Sequence, residues 1–197
     1  MDVAEPSSLV LATRNPHKVR EVARLLEPYG IAVERLPEDV DLPPEIGETF
    51  EANALPKARA AAAGTGRPAI ADDSGIEAEA LGGAPGVRSA RYAGQEATDE
   101  QNLYKLMREA PPGSRLRYVC ALAYVDPRGG RERVFFGHCM GRLAESPRGS
   151  GGFGYDPAFL PDEVADGRTM AELSDREKDA ISHRGHAVRE LADWLRR

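Results

Sequence analysis

Apolar positions recur along the chain in two registers, one of three to four residues and one of two or fewer. Val19, Val22, Ala23, Leu26 and Tyr29 keep the spacing of one helical face. Asn15-Pro16 before them supplies an N-cap and a proline at the first helical position, and Gly30 stands where such a helix stops. Ser8 to Thr13 is a short apolar run that reads as a buried strand, so the chain opens β-α. Phe50, Ala54, Ala58 and Ala61 form a second helical stripe behind a capping Thr49. Pro56 falls inside it and predicts a kink or a later start, because an interior proline removes one hydrogen bond and clashes with the preceding turn.

Further along, Pro68 to Ala71 predicts a short strand that ends in a turn at Asp72-Asp73-Ser74-Gly75, with another strand over Ile76 to Leu81. Thr98 and Gln101 have the form of a capping box and open a helix through Leu103, Leu106 and Met107. Arg115 to Asp126 and Arg131 to Leu143 are β-rich runs joined by Asp-Pro-Arg-Gly-Gly, which predicts a hairpin of two long strands. The first run is apolar on both faces and belongs in the middle of a sheet. Residues 146 to 157 form a glycine-rich loop, and Ser174 to Glu177 is a second capping box. Val188, Leu191, Ala192 and Leu195 make the stripe of a final helix, with Trp194 packed beside it. The sum is one mixed α/β domain over 1–197.

Composition narrows the function. The chain has 197 residues, 41% hydrophobic and 29% charged, enough to bury a substantial core. Its 26 Lys and Arg against 32 Asp and Glu leave a net charge of −6, which argues against a protein that coats nucleic acid. A local phosphate site must then gather its cations in one place or recruit a divalent metal. Cys120 and Cys139 lack close Cys or His partners and read as small core residues. The N-terminal Met-Asp-Val-Ala-Glu-Pro-Ser-Ser has no basic and apolar leader pattern, and nowhere do 18 apolar residues follow one another. The expected address is the cytoplasm, away from membranes.

Four segments can carry chemistry. Thr13-Arg14-Asn15-Pro16-His17-Lys18 joins a strand to a helix N-terminus, where backbone N–H groups favour anions and Thr13, Asn15 and Lys18 add a hydroxyl, an amide and a cation. An ordinary capped turn has the same composition. Asp72-Asp73, with the acidic stretch Glu45, Glu48 and Glu51, suits a hard cation such as Mg²⁺ or, equally, a solvated turn. Gly149 to Pro157 alternates glycines with aromatics, which lets the backbone approach a ligand and offers Phe153 as a flat face for a base; without a Gly-Lys-Ser/Thr ending it is not a Walker loop. Lys178 with Ser182-His183-Arg184 is a cluster rich in donors.

Together these segments resemble the inosine/xanthosine triphosphate pyrophosphatases, which act on non-canonical purine nucleoside triphosphates. The motifs are Thr-Arg-Asn-Pro-His-Lys at 13–18, Glu-Ile-Gly-Glu-Thr-Phe-Glu-Ala-Asn-Ala at 45–54, Ala-Asp-Asp-Ser-Gly at 71–75, Leu-Gly-Gly-Ala-Pro-Gly-Val-Arg-Ser-Ala-Arg-Tyr at 81–92, Gly-Gly-Phe-Gly-Tyr-Asp-Pro at 151–157 and Ile-Ser-His-Arg-Gly at 181–185. The resemblance implies a central mixed sheet with flanking helices, two lobes around a substrate cleft, a homodimer, and Mg²⁺-dependent conversion of ITP, dITP and XTP to the monophosphate and pyrophosphate. By the same resemblance Thr13, Asn15 and Lys18 hold the triphosphate, Asp73 is base and metal ligand, Ser74 contacts substrate, and Glu45 helps with the metal; on chemical grounds Asp72 and Glu45 supply oxygens either to the metal or to the groups around it. Phe153, Gly154, Tyr155, Asp156, Lys178, His183 and Arg184 form the nucleoside end. Two positions depart from the pattern: Arg14, where many relatives carry a small residue and which either adds a phosphate contact or points outward, and Pro56.

These roles make chemical sense. Hydrolysis between the α- and β-phosphates needs an activated water and neutralised phosphate charge. Hypoxanthine and xanthine present an O6 acceptor where adenine presents a donor, so Arg184 aimed at O6 rejects adenine. Two rival readings share the pocket: a pyrophosphatase for modified pyrimidine nucleotides, which the Ser-His-Arg segment disfavours, and a nucleotide-binding regulator without turnover, which the Glu45, Asp72, Asp73 and Lys18 set disfavours.

Overall fold

A computed structural model describes residues 6–197; Met1 to Glu5, part of the stretch read above for a leader, lie outside the described residues. The strands are β1 (Ser8–Leu11), β2 (Ala32–Arg35), β3 (Ala69–Ala78), β4 (Arg115–Asp126), β5 (Arg131–Leu143) and β6 (Phe159–Pro161). The helices are α1 (Pro16–Leu26), α2 (Phe50–Thr65), α3 (Asp99–Glu109), α4 (Asp175–Ile181) and α5 (His183–Leu195). The strands form one sheet in the order β2-β1-β3-β4-β5-β6. β1 runs parallel to β2 and β3, with Leu9 opposite Val33 and Val10 opposite Ala69, whereas β5 and β6 are antiparallel. The sheet is therefore mixed, as expected. β4 sits in its interior, and eleven consecutive residues from Leu116 include only one that is exposed, Arg117.

The local signals act where they stand in sequence. Asn15 caps α1 by accepting from His17 N and Lys18 N, Thr49 caps α2 by accepting from Ala52 N, and Thr98 and Ser174 close reciprocal boxes with Gln101 and Glu177. Each cap satisfies backbone donors that the first turn leaves without helical partners.

Two expectations need correction. Helix α2 runs from Phe50 to Thr65 with Pro56 inside it, so it starts ahead of the proline and not after it. Pro56 and Ala52, one turn apart, are both on the exposed side, where water can serve the carbonyl that Pro56 leaves unbonded. The Asp-Asp-Ser-Gly segment is not a turn. It is the middle of a ten-residue strand, β3, which ends at Ala78 before a short helical turn over Glu79–Leu81. The turn reading relied on residue types that solvate a bend; here, as shown below, cations satisfy the carboxylates within the sheet.

The chain divides into two compact units, one of residues up to 73 with 120–137 and 184–197, the other of 74–119 with 138–183. The first buries Leu9, Leu11, Val22, Leu26, Ile70, Leu122, Val188 and Leu191. Tyr124 meets Trp194 edge-on there at 5.4 Å, so the tryptophan is a packing residue. The second unit buries Ile76, Leu106, Leu116, Tyr155 and Phe159. Cys120 and Cys139 are buried free thiols, one in each unit, and burial pushes both up to about 12, so they stay protonated and inert.

Candidate active site

In the first unit the site begins at the turn from β1 to α1. The Thr13 hydroxyl accepts from Asn15 N at 3.1 Å and the Asn15 carbonyl oxygen accepts from His17 N at 2.8 Å, which fixes the turn. Both side chains still carry donors, a hydroxyl proton and an amide NH₂, of the kind phosphate oxygens accept. Lys18, in the first turn of α1, reaches Asp72 Oδ1 at 3.0 Å.

Because residues alternate across a strand, Asp72 and Asp73 leave β3 on opposite faces. Asp72 is wholly buried and meets cations: Lys18, and Arg184, whose Nε and Nη2 donate to its Oδ2 at 3.2 and 2.9 Å. Arg184 Nη1 in turn donates to Glu21, one turn along α1 from Lys18. Burial alone would raise the Asp72 carboxyl, but Lys18, Arg184 and Lys57 outweigh it and hold the group ionised well below the usual carboxylate range.

Asp73 faces helix α2. Its Oδ2 accepts from Asn53 Nδ2 at 3.0 Å and its Oδ1 lies 3.8 Å from Lys57 Nζ. Lys57 also donates to Glu45 Oε1 at 2.5 Å and to the Asp72 carbonyl at 2.9 Å. Burial, with some repulsion from Glu45, raises the Asp73 carboxyl above its ordinary value despite the pull of Lys57 and Lys18. Adjacent in sequence, the two acids are thus opposite in character: one a fixed anion, the other a stronger base.

Asn53 also ties in the loop that carries Glu45, since its Oδ1 accepts from Gly47 N at 2.7 Å. A Cβ on Gly47 would lie 2.8 Å from that oxygen and from Ala52 Cβ, so only glycine fits this approach. Gly47→Ala is expected to destabilise the protein by about 1–3 kcal/mol through this overlap. Urea unfolding measures it, and an unchanged midpoint would show that the loop yields freely.

In the second unit the glycine-rich loop is organised by Asp156. Its Oδ1 accepts from the Tyr118 hydroxyl at 3.0 Å, and its Oδ2 accepts from Lys178 Nζ at 2.7 Å and from Phe153 N at 3.0 Å. Lys178 stands 5.1 Å over the centre of the half-buried Phe153 ring. Gly152, at φ +70°, is required here, because a Cβ would fall 2.0 Å from the same carboxylate oxygen. Gly154 N donates to Asp99 at 3.0 Å. His183, 6% exposed, stacks on Tyr118. Burial and the neighbouring Asp156 push the Tyr118 hydroxyl well above its ordinary value, so it remains a donor. Ser74 is half-buried in β3 directly after Asp73.

Several expected roles change. Arg184 is 1% exposed, and its Nε, Nη1 and Nη2 donate to Asp72 and Glu21, so its charge is countered by buried carboxylates. Asp72 is the matching partner of these cations, paired with both Lys18 and Arg184. Arg14 makes no phosphate-ready fork: it donates to the carbonyls of Leu36, Pro37, Glu38 and Val40 and clamps that loop. Tyr155 is turned into the core with its hydroxyl on the Ser89 carbonyl at 2.7 Å.

Four residues of these clusters were missed. Asn53 and Lys57 lie on the same stripe as Phe50, Ala54, Ala58 and Ala61, and two polar side chains on an otherwise apolar stripe were a readable signal. Glu21, beside Val22 in α1, could be found the same way. Tyr118 carried no signal, because an aromatic in a β-run reads as core.

Among the described residues no three His, Cys, Asp or Glu side chains gather as a metal cage. Glu45 and Asp73, converging on one ammonium, nevertheless suit a Mg²⁺ ion, which commonly takes one or two carboxylates and fills its other positions with substrate phosphate and water. No helix among the described residues is long and apolar enough to cross a membrane.

Comparison with known proteins adds an independent line. The model of the Ham1 family matches residues 9–194. A dITP/XTP pyrophosphatase of Symbiobacterium thermophilum is 53% identical over 95% of this chain and 94% of its own length, and one from Photorhabdus laumondii is 49% identical over 95% and 98%. Among solved structures, a HAM1 protein from Coxiella burnetii superposes with a TM-score of 0.83 at 40% identity, covering 95% of this chain and 98% of that one.

Proposed function

Since the chain belongs to the Ham1 family, we propose that it is a hydrolase that converts dITP, XTP and ITP to the nucleoside monophosphate and pyrophosphate with Mg²⁺, clearing these nucleotides from the pool. The observation that carries the reading is the division of labour on β3: Asp72 is ion-paired with Lys18 and Arg184, while Asp73 lies beside Asn53 and Lys57, the latter also bonded to Glu45. The names of the two relatives supply the substrate class.

The triphosphate is bound by Thr13, Asn15, the N-terminal turn of α1 and Lys18, whose side chain is 15% exposed. Asp72 sets the direction of that ammonium. Asp73 takes the proton of the attacking water, while Asn53 holds the oxygen that does not react. Glu45 and Asp73 would hold Mg²⁺, which supplies charge neutralisation on the phosphates. Lys57 balances the two carboxylates until substrate arrives.

Base choice falls to Phe153, Lys178 and His183. The Lys178 ammonium, held by Asp156 beside the Phe153 ring, favours an O6 acceptor, where the amino group of adenine brings only a clashing donor. One such mismatch is worth about 1–3 kcal/mol, roughly tenfold to a hundredfold. The test is pyrophosphate release from dITP, XTP, ITP, GTP and ATP, with and without Mg²⁺. Fast release from the first three, dependent on the metal, is expected; equal rates on ATP would overturn the specificity, and no turnover of any triphosphate would overturn the enzyme.

A further inference from the structure

Tyr118 lies within β4, yet its side chain touches two separate segments of the cluster assigned above to the base. The hydroxyl donates to Asp156, and the ring lies flat against the His183 imidazole, centroids 4.6 Å apart and planes 6° from parallel. Phe159 packs on the same ring at 4.6 Å with a tilt of 46°. Tyr118 is 6% exposed and His183 likewise, so both rings are immobilised in the core of their unit. An imidazole turns easily about its last side-chain bond. A flat partner held at both ends removes that freedom.

We propose that the Tyr118 ring is a positioning residue for base recognition: by fixing the plane of His183 it sets the line along which the imidazole meets the 6-oxo edge of a purine. The inference rests on the reading of Phe153, Lys178 and His183 as the base-recognition cluster. The flat face carries the effect and the hydroxyl is secondary, because Asp156 keeps Lys178 and the Phe153 N–H without it.

Calorimetric binding of inosine monophosphate and adenosine monophosphate to the full chain tests this without turnover. Tyr118→Phe keeps the face and should hold inosine monophosphate within about threefold of the wild type. Tyr118→Leu removes the face and should weaken it about tenfold while leaving adenosine monophosphate unchanged, with KM for dITP raised in proportion and kcat retained. If Tyr118→Leu does not fold, Tyr118→Met, unbranched and better able to adapt to the space, also lacks a face and carries the same expectation. The ring-current shift of the His183 protons should persist in Tyr118→Phe and vanish in the aliphatic variant. A folded aliphatic variant with an unchanged ratio of the two affinities would overturn the proposal, as would a loss in Tyr118→Phe equal to that in Tyr118→Leu. Wild-type protein that binds the two monophosphates equally would instead overturn the base assignment itself.

Discussion

Asp73→Asn is expected to lower kcat on dITP about 10²–10⁴-fold, the range that a positioned general base contributes, with little change in KM. The substitution keeps the size of a side chain that is 5% exposed, but it removes the oxygen that accepts a proton and one of two carboxylates facing Lys57. The amide must also meet Asn53 Nδ2 with its own oxygen, which it can do, so the fold should survive. Pyrophosphate release under saturating substrate and Mg²⁺, together with a melting curve, separates these effects. Turnover near that of the wild type would strip Asp73 of its role.

Arg184→Ala should have the largest effect on stability, about 3–5 kcal/mol, because it strips a buried cation from Asp72 and Glu21 at once. For a chain of this size that corresponds to a fall of about 10 °C or more in Tm. The same network makes a pH prediction. The Asp72 carboxyl is depressed in the folded state, so its contribution is fully present above the ordinary carboxylate pKa of about 4 and is lost as pH falls through the lower folded value. The stability gap between wild type and Asp72→Asn should therefore be widest near neutral pH and should narrow below about pH 4, which acid-range urea titrations would reveal. A gap independent of pH would mean that packing, not charge, holds this junction.

The two predictions differ in kind although Asp73 and Asp72, the partner of Arg184, are neighbours on one strand, and that difference was hidden in the sequence. Asp-Asp-Ser-Gly has the composition of a turn, and composition cannot register the cations that come to it from positions 18, 57 and 184. Arg184 is alike in this: beside a histidine in a donor-rich motif, its partners Glu21 and Asp72 lie far off along the chain. The four carbonyl partners of Arg14 belong to a loop more than twenty residues away.

What the sequence determined by itself was local: both long strands of the hairpin, the starts of four helices, the central place of β4, and the motifs that resemble the Ham1 relatives. Caps and apolar periodicity act within about four residues, so a linear reading reaches them. Tertiary structure alone decided which of two adjacent carboxylates is paired with Lys18 and Arg184 and which faces helix α2, that Arg184 is buried against Asp72 and Glu21, and that Tyr118 faces His183. Charge, desolvation and stacking act between side chains that only folding brings to within about 5 Å, and over such distances the sign of an effect depends on partners that no neighbouring residue predicts.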